Sequence, residues 1–406
     1  MNEKRYIGKL FISIGLILIF ISSSTRYIPE FKYLTDYLFL IGGLFIVIYG
    51  VVSLIHKDIE INRSFKNVTL IYGIFISFVM ISTFVNHNLE TEIDALVKFT
   101  LIYFFLNLFL TLTEITTKRL VIITFVISSL IIFTYFLINY PIAEATGAYK
   151  GGFGNPNSVG VLAVTLFSVS LVAGTNLLKN KRSTILAIIY LIIAIAAGYL
   201  TLISNSRTSF ITLVIVFVIV TITFIYDVLK RRQLLSWKSI IYVSLLALFG
   251  VSMFILIENP AYTVLETTVI DKFQRKIENG SLTAGRVEIW QPIIEGAGLF
   301  GKGSSYFSEI SGLGAHNSFL HILSLYGWLA AIAYAIFWLV MLIKSLIYYI
   351  THKTTHIHAL LPLVLMINYI SVSMMENMTV HVSAFLAMTM VAIFNKTNML
   401  NLKETY

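Results

Sequence analysis

Again and again the chain runs for about 17 to 25 residues with scarcely a charge, the length a helix needs to cross a hydrocarbon core. Twelve such runs can be counted, at 7–22, 34–55, 68–85, 95–113, 120–140, 158–178, 184–203, 209–226, 239–257, 317–347, 357–374 and 380–395. The expected fold is therefore all-α, a polytopic membrane protein of about twelve transmembrane helices in a single domain spanning 1–406. A composition that is 57% hydrophobic and only 12% charged excludes an ordinary soluble domain. The first run follows "MNEKR" as a signal peptide would, but no small-x-small cleavage site comes after it, so it reads as a retained helix. With no cysteine, disulfides, thiolate nucleophiles and cysteine-ligated metals are excluded.

The formal net charge of +9 invites a nucleic-acid reading, which topology removes. With the N-terminus inside, nineteen of the 29 Lys and Arg residues fall in inner segments and ten in outer ones. That bias is the positive-inside pattern of a cytoplasmic membrane protein with both termini cytoplasmic. The basic residues thus act as orientation signals, and no nucleic-acid partner is expected.

Attention moves to three outer segments: "KGGFGNPNSVG" (150–160), "SNSRTS" (204–209) and a stretch at 258–315 between the ninth and tenth spans. Loops without structure of their own rarely exceed about 15 residues unless they are functional. In the long one, Leu265, Val269, Phe273 and Ile277 recur every four residues, and Val287, Trp290 and Ile294 form a second apolar stripe. Both patterns predict short amphipathic helices lying at the outer membrane interface.

The candidate chemistry lies in these segments. Arg207 stands between two spans joined by a handful of residues, where an arginine either snorkels to the interface or faces a wet cavity. Arg286, in "TAGRVEIWQP", heads the second amphipathic pattern; pairing with Glu288 is the plainer alternative. His316 falls at the N-terminal end of the tenth span, beside unpaired N–H groups that attract anions; it is either a capping or packing group or a neutral imidazole able to take a proton. Asn317, His321 and Ser324 share one face of that span by spacing. In "GGFGNPNSVG", Asn157 or Ser158 is placed to cap the sixth span, and the glycines around Asn155 and Asn157 also suit a backbone cradle for phosphate or sugar.

Other signals are set aside. "GAGLFGKGS" (296–304) matches a phosphate-binding loop only up to its lysine, since Gly303 replaces the hydroxyl residue and no strand precedes it. "HKTTHIH" (352–358) is a short inner loop without acidic partners. No D-x-D or paired acidic set appears outside, so no metal or cofactor is expected. If a diphosphate leaves, Arg207 with Arg286 is the cationic pair available to replace magnesium.

Taken in order, "GGFGNPNSVG", "SNSRTS", "AGRVEIWQPIIEGAGLFGKGSSYF" and "GAHNSFLHILSLYGWLA" resemble the O-antigen ligase and polymerase family of bacterial envelope enzymes. In topology the resemblance covers most of the chain, and its sequence strength is concentrated between Gly285 and Gly327. It implies a metal-independent integral-membrane glycosyltransferase acting on the outer face, with an undecaprenyl-diphosphate-linked oligosaccharide as donor and a saccharide as acceptor. The family's two diphosphate-binding arginines would fall on Arg207 and Arg286 and its external histidine on His316, with Asn155, Asn157, Asn317 and His321 as substrate-binding candidates. The expected function is a polymerase joining lipid-linked repeat units into capsule, exopolysaccharide or O-antigen, served by a flippase and a chain-length regulator. The alternatives are a ligase passing finished glycan to another acceptor and, from a different class, a flippase of the same lipid-linked sugars.

Overall fold

The computed structural model describes residues 2–25, 28–55, 63–86, 96–97, 99–100, 108–112, 118–142, 147–179, 183–230, 286–303, 315–353, 358–378, 388–391 and 393–394. Among them there is no strand. Eight helices are long and apolar enough to cross a membrane, so the chain is an all-helical membrane protein. In chain order these are α1 (Asn2–Thr25), α2 (Lys32–Ile55), α3 (Arg63–Val85), α4 (Lys118–Asn139), α5 (Pro156–Lys179), α6 (Thr184–Ile203), α7 (Arg207–Lys230) and, after the shorter α8 (Arg286–Gly296), the 35-residue α9 (Ser318–His352). A shorter apolar helix, α10 (Leu361–Ser373), follows. Of the twelve expected spans, 239–257 lies outside the described residues, and only parts of 95–113 and 380–395 are described. The amphipathic pattern at 265–277 also lies outside them.

The central pillar is α5, of whose apolar window 94% is buried. It is packed by α4, α6, α7 and α10, while α10 leads to α9, and α9 to α3 and α8. Because apolar contact gives helices little reason to prefer one another over lipid, polar groups and close backbone approach fix such a bundle. Asn368 on α10 donates to the Ser168 hydroxyl on α5 at 2.9 Å. Tyr334 on α9 and Tyr369 on α10 share a hydroxyl contact of 2.5 Å, with Trp338 stacked on Tyr369. Between α5 and the α6–α7 turn the approach is tight, since a Cβ on Gly160 would lie 2.7 Å from the hydroxyls of Ser204 and Ser209. At the opposite end of the bundle the Lys118 ammonium opens α4 and donates to the Tyr348 hydroxyl.

The helix α9 is not continuous. Gly327 takes φ 80° and ψ −176°, outside helical geometry, and so breaks it into a short N-terminal piece and a long C-terminal one. From Trp328 onward the C-terminal piece is about 37 Å long at ~1.5 Å per residue, enough on its own for a hydrocarbon core of ~30 Å. The break therefore lies toward the end of the bundle where α9 begins. Irregular backbone at such a place must find partners within the protein, and here the segment 298–302 supplies them. Trp328 N–H donates to the Gly298 carbonyl at 3.2 Å, Leu329 N–H to Leu299 at 3.3 Å, and Lys302 N–H to Ser324 at 3.3 Å. From α3, the Ser82 hydroxyl and the Asn86 amide both donate to the Phe300 carbonyl.

The two glycines face each other in this contact: a Cβ on Gly327 would stand 2.2 Å from the Gly301 nitrogen, and one on Gly301 2.3 Å from the Leu325 carbonyl oxygen. Both also have positive φ, at 80° and 70°. "GLFGK" is thus a backbone plug in a broken helix, the structural role of the stretch that mimics a phosphate loop. Gly327→Ala and Gly301→Ala are each expected to lower stability by about 2 to 5 kcal/mol, from backbone strain plus overlap. Thermal unfolding in detergent measures this, with Gly43→Ala, where nothing lies within 4 Å of the added carbon, as the neutral control.

Candidate functional site

Several helix heads meet at the end of the bundle that holds the plug. Pro156 opens α5, and the residue before it provides the cap: Asn155 Oδ1 accepts from the Asn157 N–H at 2.9 Å, and its carbonyl from the Ser158 N–H at 3.2 Å. This corrects the expectation that Asn157 or Ser158 does the capping, because proline fits the first helical position and the cap stands just before it. Asn157 is thereby left to reach outward, and its amide donates to Glu376 Oε1 at 2.7 Å. Upstream of the cap the loop is held by Tyr149, whose N–H donates to the Ile203 carbonyl at 2.9 Å, and by Phe153, packed edge-on against Phe136. Burial pushes the Tyr149 phenol up, keeping it a neutral donor to the Tyr140 carbonyl.

At the head of α9, Asn317 is the cap: its Oδ1 accepts from the N–H groups of Phe319 and Leu320 at 2.9 and 3.1 Å. Its Nδ2 donates to the Met374 carbonyl at 3.0 Å. Both ends of this proposed substrate-binding side chain are thus engaged in the fold. Ser318 donates to the Glu376 carbonyl at 3.1 Å and accepts from the Met378 N–H at 2.7 Å. These bonds seat the segment after α10 on the start of α9. His321 lies one turn in from the cap, and its carbonyl accepts from the Ser324 hydroxyl at 2.8 Å. The Ser324 side chain is wholly buried, and its own carbonyl takes the Lys302 N–H of the plug.

His316 precedes this cap in a left-handed conformation, with φ 48°. For a residue other than glycine that costs about 1 to 3 kcal/mol and persists only where neighbours impose it. Its Nδ1 lies 3.5 Å from Glu376 Oε2, the histidine side chain 40% exposed and the glutamate 11%. An accessible imidazole therefore backs onto a buried carboxylate that also binds Asn157.

Arg207 is the first residue of α7 and is half-buried. It directly follows Ser206, whose hydroxyl contacts Ser209 at 2.9 Å in the turn packed on Gly160. Arg286 is the first residue of α8. One turn further along, Trp290 donates its indole N–H to the carbonyl of Ala315, the neighbour of His316, at 2.8 Å. The packed face of α8 is Ile293, buried with Ala297, Ala315 and Leu323, and the half-buried Ile289, which packs against them beside Leu320. Of the expected stripe of Val287, Trp290 and Ile294, Ile294 is exposed, as a residue facing lipid at the interface would be, and Trp290 is half-buried. The backbones of Arg207, Arg286 and His316 thus belong to one end of the bundle, linked through Gly160, Asn157, Glu376 and Ala315. Among the described residues no three His, Asp or Glu side chains gather as a metal would require.

Glu376 is the site residue that sequence reasoning missed. It is an acid within "SMMENMT", just past the last turn of an apolar helix, where a charge is unusual enough to flag function. Compared with protein-family models and with curated proteins, the chain matches none. Removing the α9 cap tests this local structure. Asn317→Ala is expected to lower stability by about 2 kcal/mol, while Asn317→Ser, which keeps a capping oxygen and loses only the bond to Met374, costs about 1 kcal/mol; thermal melts of both variants give the comparison.

Proposed function

We propose that this chain is a metal-independent polysaccharide polymerase, extending a glycan from undecaprenyl-diphosphate-linked oligosaccharides on the outer face of the cytoplasmic membrane. The observation that carries the reading is the meeting, at one end of the bundle, of two arginine-headed helices with an accessible histidine backed by a buried acid. The positive-inside distribution of Lys and Arg supports taking that end as the outer one.

In this reading Arg207 and Arg286 hold the donor diphosphate and neutralise the charge that grows as its bond to the sugar breaks. Preorganised donors of this kind contribute about 3 kcal/mol each to the transition state. His316 takes the proton of the acceptor hydroxyl, help worth about 10² to 10⁴ in rate. The donor lipid remains in the bilayer, so the head group arrives at the site with its orientation largely fixed.

Arg207→Ala and Arg286→Ala are expected to lower polymer formation by about 10²-fold or more while the protein still inserts. Arg→Lys recovers only part, because a lysine cannot make the two-pronged contact with phosphate. The readout is surface polymer together with the lipid-linked species that accumulate in cells. Single repeat units accumulating in the variants support a polymerase, long lipid-linked chains point to a ligase of the same chemistry, and normal polymer in both Ala variants contradicts the reading.

A further inference from the structure

Glu376 is held from several directions. Its Oε1 accepts from Asn157 on α5. Its carbonyl accepts from Ser318 on α9, and its N–H donates to the Val372 carbonyl at the end of α10. A carboxylate pinned this way cannot swing freely, and its second oxygen is the one turned to the histidine. A carboxylate only accepts hydrogen bonds, so the Nδ1 that faces it carries the hydrogen, and the lone pair of a neutral imidazole falls on Nε2. The contact at 3.5 Å is long for a hydrogen bond, as such contacts commonly are before substrate closes the site. The left-handed backbone of His316 is a second mark of constraint at this one place.

We propose that Glu376 is the positioning residue of the site: its buried carboxylate holds the Nδ1 edge of His316 and leaves Nε2 to receive the acceptor's proton. This rests on the transferase reading above and assigns a residue to it. In the step, the acceptor oxygen bonds to the anomeric carbon as the bond from that carbon to the diphosphate oxygen breaks. The electron pair leaves with the diphosphate, and the hydroxyl proton moves to Nε2. The imidazolium so formed is stabilised by Glu376 until it releases the proton to water. Asn157, which holds the other carboxylate oxygen, keeps the acid aimed; its amide thereby serves the reaction without meeting the sugar.

The test is steady-state glycosidic bond formation by purified protein in liposomes, fed the undecaprenyl-diphosphate-linked oligosaccharide that accumulates in cells deleted for this chain. Glu376→Gln keeps the shape and can still accept from Asn157, but it can present an N–H to the imidazole and so favour the wrong tautomer. It is expected to lower kcat by about 10- to 100-fold with the donor KM changed less than about twofold. Glu376→Asp, which keeps the charge one methylene further back, falls between Gln and wild type. Joined to His316→Gln, the Glu376→Gln change adds no further loss, because residues acting as a unit are not additive. A Glu376→Gln protein within threefold of wild type overturns the inference, as does a loss that multiplies with that of His316→Gln. If Glu376→Gln does not insert, an Asp variant as fast as wild type overturns it equally. A wild type that forms no bonds removes the transferase reading and this inference together, whereas an active wild type beside an unaffected Glu376→Gln removes this inference alone.

Discussion

A helix broken inside a membrane protein must have its loosened backbone groups met by the protein, and here two glycines make that possible. At Gly327 and Gly301 two backbones approach as no side chain would permit. Through that contact the 298–302 segment satisfies the groups freed on either side of the break. The consequence reaches beyond the plug. Since α8 runs directly into this segment, docking it against α9 fixes where α8 lies, and Ile289 and Ile293 then bury against the first turns of α9. The residue that opens α8, Arg286, is thereby set one turn from the tryptophan that grips the carbonyl of Ala315. Part of what looks in sequence like a loop is architecture that carries one helix head to another.

The second constraint is a polar knot at the same end. Asn157, Ser318 and His316 all turn to Glu376, and Asn317 ties the same segment through Met374. Removing these groups from water is costly unless each finds a partner, and here each of them has one. The knot joins α5, α9 and the end of α10, and the strained His316 belongs to it. Structure and candidate chemistry meet here, because the bonds that seat the helix heads also leave one imidazole edge accessible. Asn317 shows the division of labour most plainly: sequence spacing offered it as a ligand-facing residue, yet both of its polar atoms serve the cap and the Met374 carbonyl.

Much of the bundle was legible because apolar length alone determines a span, and the long helices fall where the runs do. The break in α9 was not, since the apolar pattern passes through "SLYGWLAAI" unchanged and the partner that fills the gap lies more than twenty residues upstream. The face of α8 that packs on α9 was not legible either, because "RVEIWQPIIEG" carries apolar residues at two interleaved four-residue spacings, and periodicity cannot say which of them meets protein. Pro156 did carry the signal that Asn155 is the cap. Glu376 escaped notice because acids were weighed as paired metal ligands, whereas its partner is an imidazole sixty residues earlier in the chain. Long-range pairings of single polar residues leave no local pattern to read.

These contacts put two arginine-headed helices at the same end of the bundle as an acid-backed histidine, and the chemistry proposed for that end requires no metal. Purified protein in liposomes displaying undecaprenyl-diphosphate-linked oligosaccharide, assayed for new glycosidic bonds in the presence of EDTA, tests this most directly. Longer saccharides and released undecaprenyl diphosphate, formed at the same rate with and without the chelator, are the expected result. No bond formation under either condition, or formation only after a divalent cation is restored, would contradict it.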